Sequence, residues 1–442
     1  METPLRLSTP SLSVSATRYA SVIDLGFGDS GKGLFVDALT RRWQAHTVAR
    51  FSGGAQAGHN VVTTSQHHTF SQFGAGTFVP GTRTVLLDPF VLHPTALLVE
   101  AEALARVGVP DALSRLSIDA RCRITTPYHQ AAGRLREILR GENAHGTCGV
   151  GVGETVRHSL AHPEQTLRYA DLLLPEAVIL EKLHVQRETL LTELHTGSGD
   201  ELQVLQDESL ALRWLRTARA LARQGPPASI ESLTQQLHQP GAVIFEGAQG
   251  ILLDEWRGFH PHTTWSSTTP LALENALASL GLAVPVEHFG VLRTYLTRHG
   301  AGPLPTHDAT LDSELPEPHN HAEGWQGRFR RGHPDGVLLR YALECAPNLS
   351  GLLISHLDVF ERGVSLKWCA SYESTQNLSP GILGDLEHQS RLTSQLLAAT
   401  PNYLQTPIAS ETAYLDLLAS ITSLPVVMRS FGNTSDHVLG GP

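Results

Sequence analysis

The chain has 442 residues, enough to bury a large core without disulfide staples, and its 33 Lys plus Arg stand against 43 Asp plus Glu, a formal charge of -10. An acidic chain with no basic run is poorly suited to tracking a nucleic-acid backbone, so small anions must be met locally by loops and single cations. No stretch reaches the apolar length of a membrane helix, and Cys122, Cys148, Cys345 and Cys369 lie far apart without C-x-x-C pairs, a pattern of free thiols that fits the cytoplasm.

Residues 1–18 carry Ser and Thr with one early Arg and no signal-peptide core, and read as a flexible leader to a single domain over 19–442. The apolar, β-rich run 19–25 (YASVIDL) predicts a first strand, the glycine loop DLGFGDSGKG follows, and 34–43 has helical spacing. Further strands are predicted at 84–87, 242–245, 290–296, 351–354 and 424–428. Helices are predicted at 94–107, 127–140, 205–223, 271–280 and 336–344. Such alternation predicts an α/β fold, a large and mostly parallel central sheet with helices on both faces. Residues 175–240 form a helical excursion broken by GSGDE at 197–201. Residues 303–335, rich in Pro, His and Gly with little apolar periodicity, read as a long functional loop.

The chemistry begins in the first loop. The pattern G-x-x-x-x-G-K-[ST] of a phosphate-binding loop would run from Gly26 through Gly31 and Lys32, but Gly33 stands where a hydroxyl would hold Mg²⁺. Glycines 26, 28, 31 and 33 let backbone N–H groups face an anion, the next helix adds its positive end, and Lys32 adds a cation. The only strong hard-metal ligand left in the loop is Asp29, whose carboxylate is also a candidate base. A second glycine-rich piece, FSGGAQAGHN at 51–60, carries His59, a residue type that judged alone is more often a structural hydrogen-bonder. VIFEGAQGILLD at 243–254 sets Glu246, Gln249 and Asp254 past a strand end, where α/β sheets place ligands, and runs into the hydroxyl-rich HPHTTWSSTT at 260–269. GRFRR at 327–331 offers arginines suited to carboxylates, and LISHLD at 353–358 ends on an Asp able to read the ring donors of guanine.

Six motifs in order, GDSGKG, GGAQAGH, FEGAQGILLD, TRHGAGPLPT, GRFRR and SHLD, resemble those of the adenylosuccinate synthetases over about residues 20–440. The resemblance implies a P-loop NTPase-like enzyme, a homodimer, that joins L-aspartate to carbon 6 of IMP using GTP and Mg²⁺, with no nucleic-acid or membrane partner. It implies that Asp29 is metal ligand and base, that Lys32 meets the transferred phosphoryl group, that His59 acts at the purine 6-oxygen and that the Gly58 backbone completes the metal shell. By the same resemblance Gln249 steadies the purine. Thr264, Gln56 and Cys148 fall at the nucleotide's phosphate. Gly28, Ser30, Gly31 and Gly33 cradle GTP, whose guanine meets His356, Asp358, Ser430 and Gly432. Arg328 and Arg330 clamp the aspartate carboxylates.

The chain departs from the family pattern in several places. Ser30 stands for Glu, Gln56 for Asn, Cys148 for Thr and His356 for Lys, and Trp325-Gln326 replaces a Thr pair. Arg157 is the one candidate for an arginine that crosses a dimer interface. These departures leave open the same ligase chemistry on another oxo-purine nucleotide or related lactam. A non-catalytic nucleotide-binding regulator is the remaining alternative, and the joint presence of Asp29, Lys32 and His59 argues against it.

Overall fold

The structure is a computed structural model that describes residues 17–315, 317, 320 and 324–442; the leader expected over 1–18 falls almost wholly outside them. Its centre is a nine-stranded sheet. In chain order the strands are β1 (Arg18–Asp24), β2 (Thr47–Arg50), β3 (Arg83–Leu86), β4 (Leu116–Ile118), β5 (Ala242–Gly250), β6 (Glu287–Arg293), β7 (Leu349–Ser355), β8 (Val426–Ser430) and β9 (Val438–Gly440). They lie in the order β9-β8-β7-β6-β1-β5-β2-β3-β4, and every pairing is parallel except β8 with β9. All six expected strands belong to this sheet. The sequence reading lacks β2, β4 and β9, which are three or four residues long and too short for a period to show.

The middle strands are covered on both faces, so they read as continuous apolar runs. Only the first residue of β1 and Gln249 of β5 escape full burial in those two strands. α1 (Lys32–Trp43) packs Phe35, Val36 and Leu39 against one face; burial of each such side chain contributes about 1.5–3 kcal/mol. α2 (Pro94–Arg106), α3 (Pro127–Arg140) and α4 (Val152–Ala161) follow. The excursion holds α5 (Glu176–Glu193), α6 (Asp200–Gln206), α7 (Ser209–Gln224) and α8 (Ile230–Leu237). Ile179, Leu183, Leu215 and Leu221 of α5 and α7 join the core that α1 enters.

Two expectations change. The helix expected over 205–223 is two helices, because the Asp207 carboxylate accepts from Ser209 N at 2.9 Å and from its hydroxyl at 2.6 Å, ending one helix and starting the next. The segment 303–335 is not all loop, since Phe329–Gly332 pairs antiparallel with Leu296–His299 and a short helix, Ala309–Glu314, precedes it. The pairing carries GRFRR on a hairpin and fixes which way its arginines face.

The first loop is held by close backbone contact with the end of β5. A Cβ on Gly250 would overlap the Gly26 carbonyl oxygen and lie 2.5 Å from Gly28 N, so only glycine lets the strand pass. Gly250→Ala is expected to lower stability by about 1–3 kcal/mol and to displace the loop. Denaturant unfolding checks this, and an unchanged midpoint would contradict the packing.

Candidate active site

The carboxyl ends of the central strands open on one cleft of about 790 Å³, lined by Asp29, Lys32, Gln56, Gly58, His59, Cys148, Gln249, Thr264, His356, Asp358 and Gly432 among others. The structure therefore gathers residues that are hundreds of positions apart in the chain. α1 begins in this cleft, and its N-cap, Gly31, has no side-chain cap. α2, α3 and α8, by contrast, are capped by His93, Thr126 and Ser229. Uncapped N–H groups at a helix start form an anion site.

The loop is built around a residue the sequence reading passed over. Asp24, fully buried at the end of β1, accepts from Gly26 N (2.8 Å), Ser30 N (3.1 Å), Ser30 Oγ (2.9 Å) and Lys32 Nζ (2.8 Å). Burial alone would push this carboxyl up, but the Lys32 charge and the converging hydrogen bonds hold it below its ordinary value. Ser30 thus turns inward and does not line the cleft, because both its N–H and its hydroxyl are taken by Asp24. An acid ending a strand just before a glycine loop was the available signal.

Asp29 has φ of 56°, a left-handed conformation that Asp tolerates better than most residues. Arg293, another residue the sequence reading missed, donates from Nη1 to the Asp29 carbonyl at 3.1 Å and steadies this turn. The Asp29 carboxylate is about one-third exposed to the cleft and lies 3.9 Å from His299 Nε2. Burial raises its pKa, opposed by His299 and Lys32. The donor set suits a hard cation: one cleft-facing carboxylate, next to an uncapped helix start, where phosphate oxygens would supply further ligands, with Gly58 also in the cleft lining.

His59 places Nδ1 against Glu246 and Nε2 2.9 Å from the Ala248 carbonyl. Burial lowers its pKa while Glu246 works against that. Glu246 also accepts from Ala75 N at 2.9 Å and is the strand neighbour of buried Arg50, so it is an anchor for His59 rather than a ligand-facing acid. Asp254 is likewise spent, accepting from Trp256 N, Arg257 N, Ser267 Oγ and Thr268 N. Both amide atoms of Gln56 and the Oε1 of Gln249 are buried with no partner among the described residues, polar groups left open on the cleft wall. Burial pushes the Cys148 thiol up to about 11, so it is an uncharged side chain there.

His356 (φ 61°), also in the cleft lining, hydrogen-bonds its own neighbour Ser355, Nδ1 to Oγ 2.7 Å, and its pKa is depressed by burial. Asp358 starts a short helix and lies 3.4 Å from Arg362. Ser430 is fully buried behind Gly432, to whose carbonyl its hydroxyl donates at 2.6 Å, so its side chain shapes that turn instead of facing the cleft.

The arginine pair is not arranged as the motif implied. Arg328 is 62% exposed and bound to Asp312 at 2.7 Å, outside the cleft lining. Arg330 donates to the Gly302 carbonyl, keeps a buried Nε without a partner, and adjoins Arg298. Arg298, 3% exposed, lines the cleft, lies over Phe27 at 4.1 Å and has no carboxylate partner among the described residues. Burial, with the Arg330 charge beside it, pulls its pKa well below the usual range. Arg330 itself lies outside the cleft lining and has Asp312 as a nearby opposite charge, so it is Arg298, a buried cation on the cleft wall, that marks a place for an anionic ligand. Arg157 is held by Glu154 at 2.7 Å and Glu193 at 2.8 Å and does not line the cleft.

Asp24 and Lys32 form an ion pair that is almost wholly out of solvent. Asp24→Asn leaves the Lys32 charge buried and is expected to cost about 3–5 kcal/mol in chemical denaturation. Because the folded-state pKa of Asp24 is depressed, its contribution is present above the ordinary value of 3.8 and is lost as pH falls through the folded value. The parent should lose more stability than the variant on acidification into that range; parallel acid limbs would contradict the pairing.

Residues 21–439 match the family model described as adenylosuccinate synthetase. Adenylosuccinate synthetase of a Polaromonas species is 31% identical, covering 96% of this chain and 97% of its own, and that of a Marinomonas species is 33% identical over 88% and 87%. The structure of fully ligated adenylosuccinate synthetase from Plasmodium falciparum superposes with a TM-score of 0.77 at 20% identity, covering 96% of this chain and all of that one. The succinoaminodeoxyadenylate synthetase of cyanophage S-2L, bound to dGMP and dATP, gives 0.62 at 16% identity over 97% and 96%. With the family model covering nearly the whole chain on a sheet whose strand ends collect the expected loops, the chain belongs to the adenylosuccinate synthetase family of carbon–nitrogen ligases.

Proposed function

We propose that this chain joins L-aspartate to carbon 6 of IMP at the expense of GTP, forming adenylosuccinate, GDP and phosphate. The observation that carries the reading is the uncapped start of α1 in one cleft with Asp29, Lys32, His59 and Gln249. Asp29 removes the N1 proton of the purine, and the 6-oxygen attacks the γ-phosphorus as its bond to the β-phosphate oxygen breaks. The aspartate amine then adds at carbon 6, loses a proton, and phosphate leaves with the former 6-oxygen.

Stabilising the spreading phosphoryl charge is the main demand of the first step. Gly28, Gly31 and Gly33 with the α1 N–H groups serve this, and Lys32 joins them by turning from Asp24. His59, held by Glu246, reaches the 6-oxygen by giving up the Ala248 carbonyl. Asp29 and the Gly58 carbonyl would hold Mg²⁺, which would supply positive charge to the phosphate oxygens. Gln249 steadies the purine, and Thr264, Gln56 and Cys148 surround the IMP phosphate. Asp358, His356 and the Gly432 turn receive guanine. Arg330, with Arg298 beside it, meets the aspartate carboxylates, and Arg328 joins them only on leaving Asp312.

The chain acts in the cytoplasm, in keeping with four free thiols among the described residues; no helix among those residues is long and apolar enough to cross a membrane. A homodimer is supported by the exposed Ile138, Leu139 and Leu160 on the packed helices α3 and α4. The gathering of Asp29, Lys32 and His59 in one cleft speaks for an enzyme over a regulator, and the match to the family over nearly the whole chain favours IMP over another lactam.

Phosphate release from GTP with IMP and L-aspartate tests the reading. Asp29→Asn should reduce turnover at least about a thousandfold with the fold intact; activity within about tenfold of the parent would reject Asp29 as base. Arg330→Ala should raise the aspartate KM at least about tenfold with little change in the GTP KM, and Arg328→Ala should raise it less. An unchanged aspartate dependence in Arg330→Ala would reject its role.

A further inference from the structure

The residues given to guanine by motif leave open what would tell it from adenine. The Ser430 hydroxyl is spent on its own turn, and Gly432 has no side chain. Burial, with the charges of Arg293 and Arg362, holds the His356 ring well below its ordinary pKa, so it brings no charge. Arg362 itself, outside every motif singled out in the sequence, lies in the cleft lining with Asp358, His356 and Gly432.

Asp358 opens the short helix Asp358–Glu361 and Arg362 follows its last residue, so the two side chains are neighbours one turn apart. Arg362 Nε stands 3.4 Å from Asp358 Oδ2, and neither side chain makes a hydrogen bond among the described residues. With 27% of the Asp358 side chain and 41% of the Arg362 side chain exposed, an incoming ring meets unspent acceptors and donors. The pair is fixed from behind. Leu357 N donates to the Ser430 carbonyl at 3.0 Å, Thr294 Oγ1 to the His356 carbonyl at 2.9 Å, and Ser355 Oγ to the Ser30 carbonyl at 2.7 Å. The last of these ties the end of β7 to the phosphate loop, so the pair keeps its place relative to the start of α1.

We infer that Arg362 is a specificity-determining residue, forming with Asp358 a row of acceptors and donors that admits guanine and rejects adenine. The inference rests on the proposed function and deepens its GTP site. Guanine presents N2–H, N1–H and O6 side by side, two donors and then an acceptor. A carboxylate touching a guanidinium presents the complement, acceptors and then donors. Adenine carries a bare N1 and an N6 amino group at the corresponding places, so a lone pair would face the carboxylate and a donor would face the guanidinium. Each mismatch leaves polar groups unpaired as water is displaced, a penalty built against the wrong base. The two residues read different atoms. Arg362 reads O6, which hypoxanthine shares with guanine, whereas Asp358 also reads the N2 amino group, which hypoxanthine lacks.

Calorimetric titration of the full chain with GDP, IDP and ADP, each with Mg²⁺, tests this without needing turnover. The parent should bind GDP at least about a hundredfold more tightly than ADP, with IDP between them. Arg362→Ala should weaken GDP and IDP by the same factor, about tenfold or more, and leave ADP within about twofold. Arg362→Gln, which keeps N–H donors without the charge, should recover part of that loss. Asp358→Ala should weaken GDP more than IDP. An unchanged ratio of GDP to ADP affinity in Arg362→Ala would overturn the inference. So would a loss there that is greater for GDP than for IDP, the pattern of a residue that only props Asp358. Either result leaves GTP standing as co-substrate, whereas a parent that prefers ADP, or binds none of the three, would reject GTP in the proposed function and the inference with it.

Discussion

Everything in the cleft depends on how one buried carboxylate is used. Asp24 ends the central strand, gathers two backbone N–H groups, the Ser30 hydroxyl and the Lys32 ammonium, and so bends the glycine loop into a cradle. Without a ligand, Asp24 is also what makes a buried lysine tolerable, because an unpaired ammonium at that depth would be costly. A phosphoryl group entering the loop offers Lys32 a second anion at short range. The same pair that stabilises the loop thus sets how far Lys32 must turn, and a pair this buried resists turning until the competing charge is strong.

The remainder of the cleft follows the opposite rule and leaves its polar groups unmet. Gln56 and Gln249 present buried amide atoms without partners, and Arg298 lines the cleft with no carboxylate partner among the described residues. Each is a cost to the folded chain that a ligand of matching charge relieves. The uncapped start of α1 belongs to the same class, given that side chains close the starts of several other helices. His59 lies between the two rules: anchored through Nδ1 to Glu246, it can expose Nε2 by giving up one carbonyl contact.

Much of this was legible in the chain. Strands with both faces covered are apolar throughout, so β1, β5, β6 and β7 announced themselves, and the positive-φ residues at 28, 29 and 31 explain why the loop is glycine-rich around one Asp. Glu246 was visible as a strand-end acid, but its partner is 187 positions away and only the register of β2 beside β5 brings His59 to it. Arg298 stood inside a recognised motif without being singled out, because burial beside Arg330 depends on a hairpin that a Pro- and His-rich segment does not advertise. Ser30, Ser430 and Arg328 show the converse: the motif gives their place in the chain, and local hydrogen bonds decide which way the side chain points.

On the proposed reading, the loop, Asp29 and the anchored His59 all serve one event, transfer of a phosphoryl group to the 6-oxygen of a purine before any amine arrives at carbon 6. That order has a consequence for atoms. IMP carrying heavy oxygen at the 6-position, turned over with GTP and L-aspartate, should deliver its label to the released phosphate, molecule for molecule with adenylosuccinate. Phosphate drawing that oxygen from water instead, with the label lost elsewhere, would contradict the account at its centre.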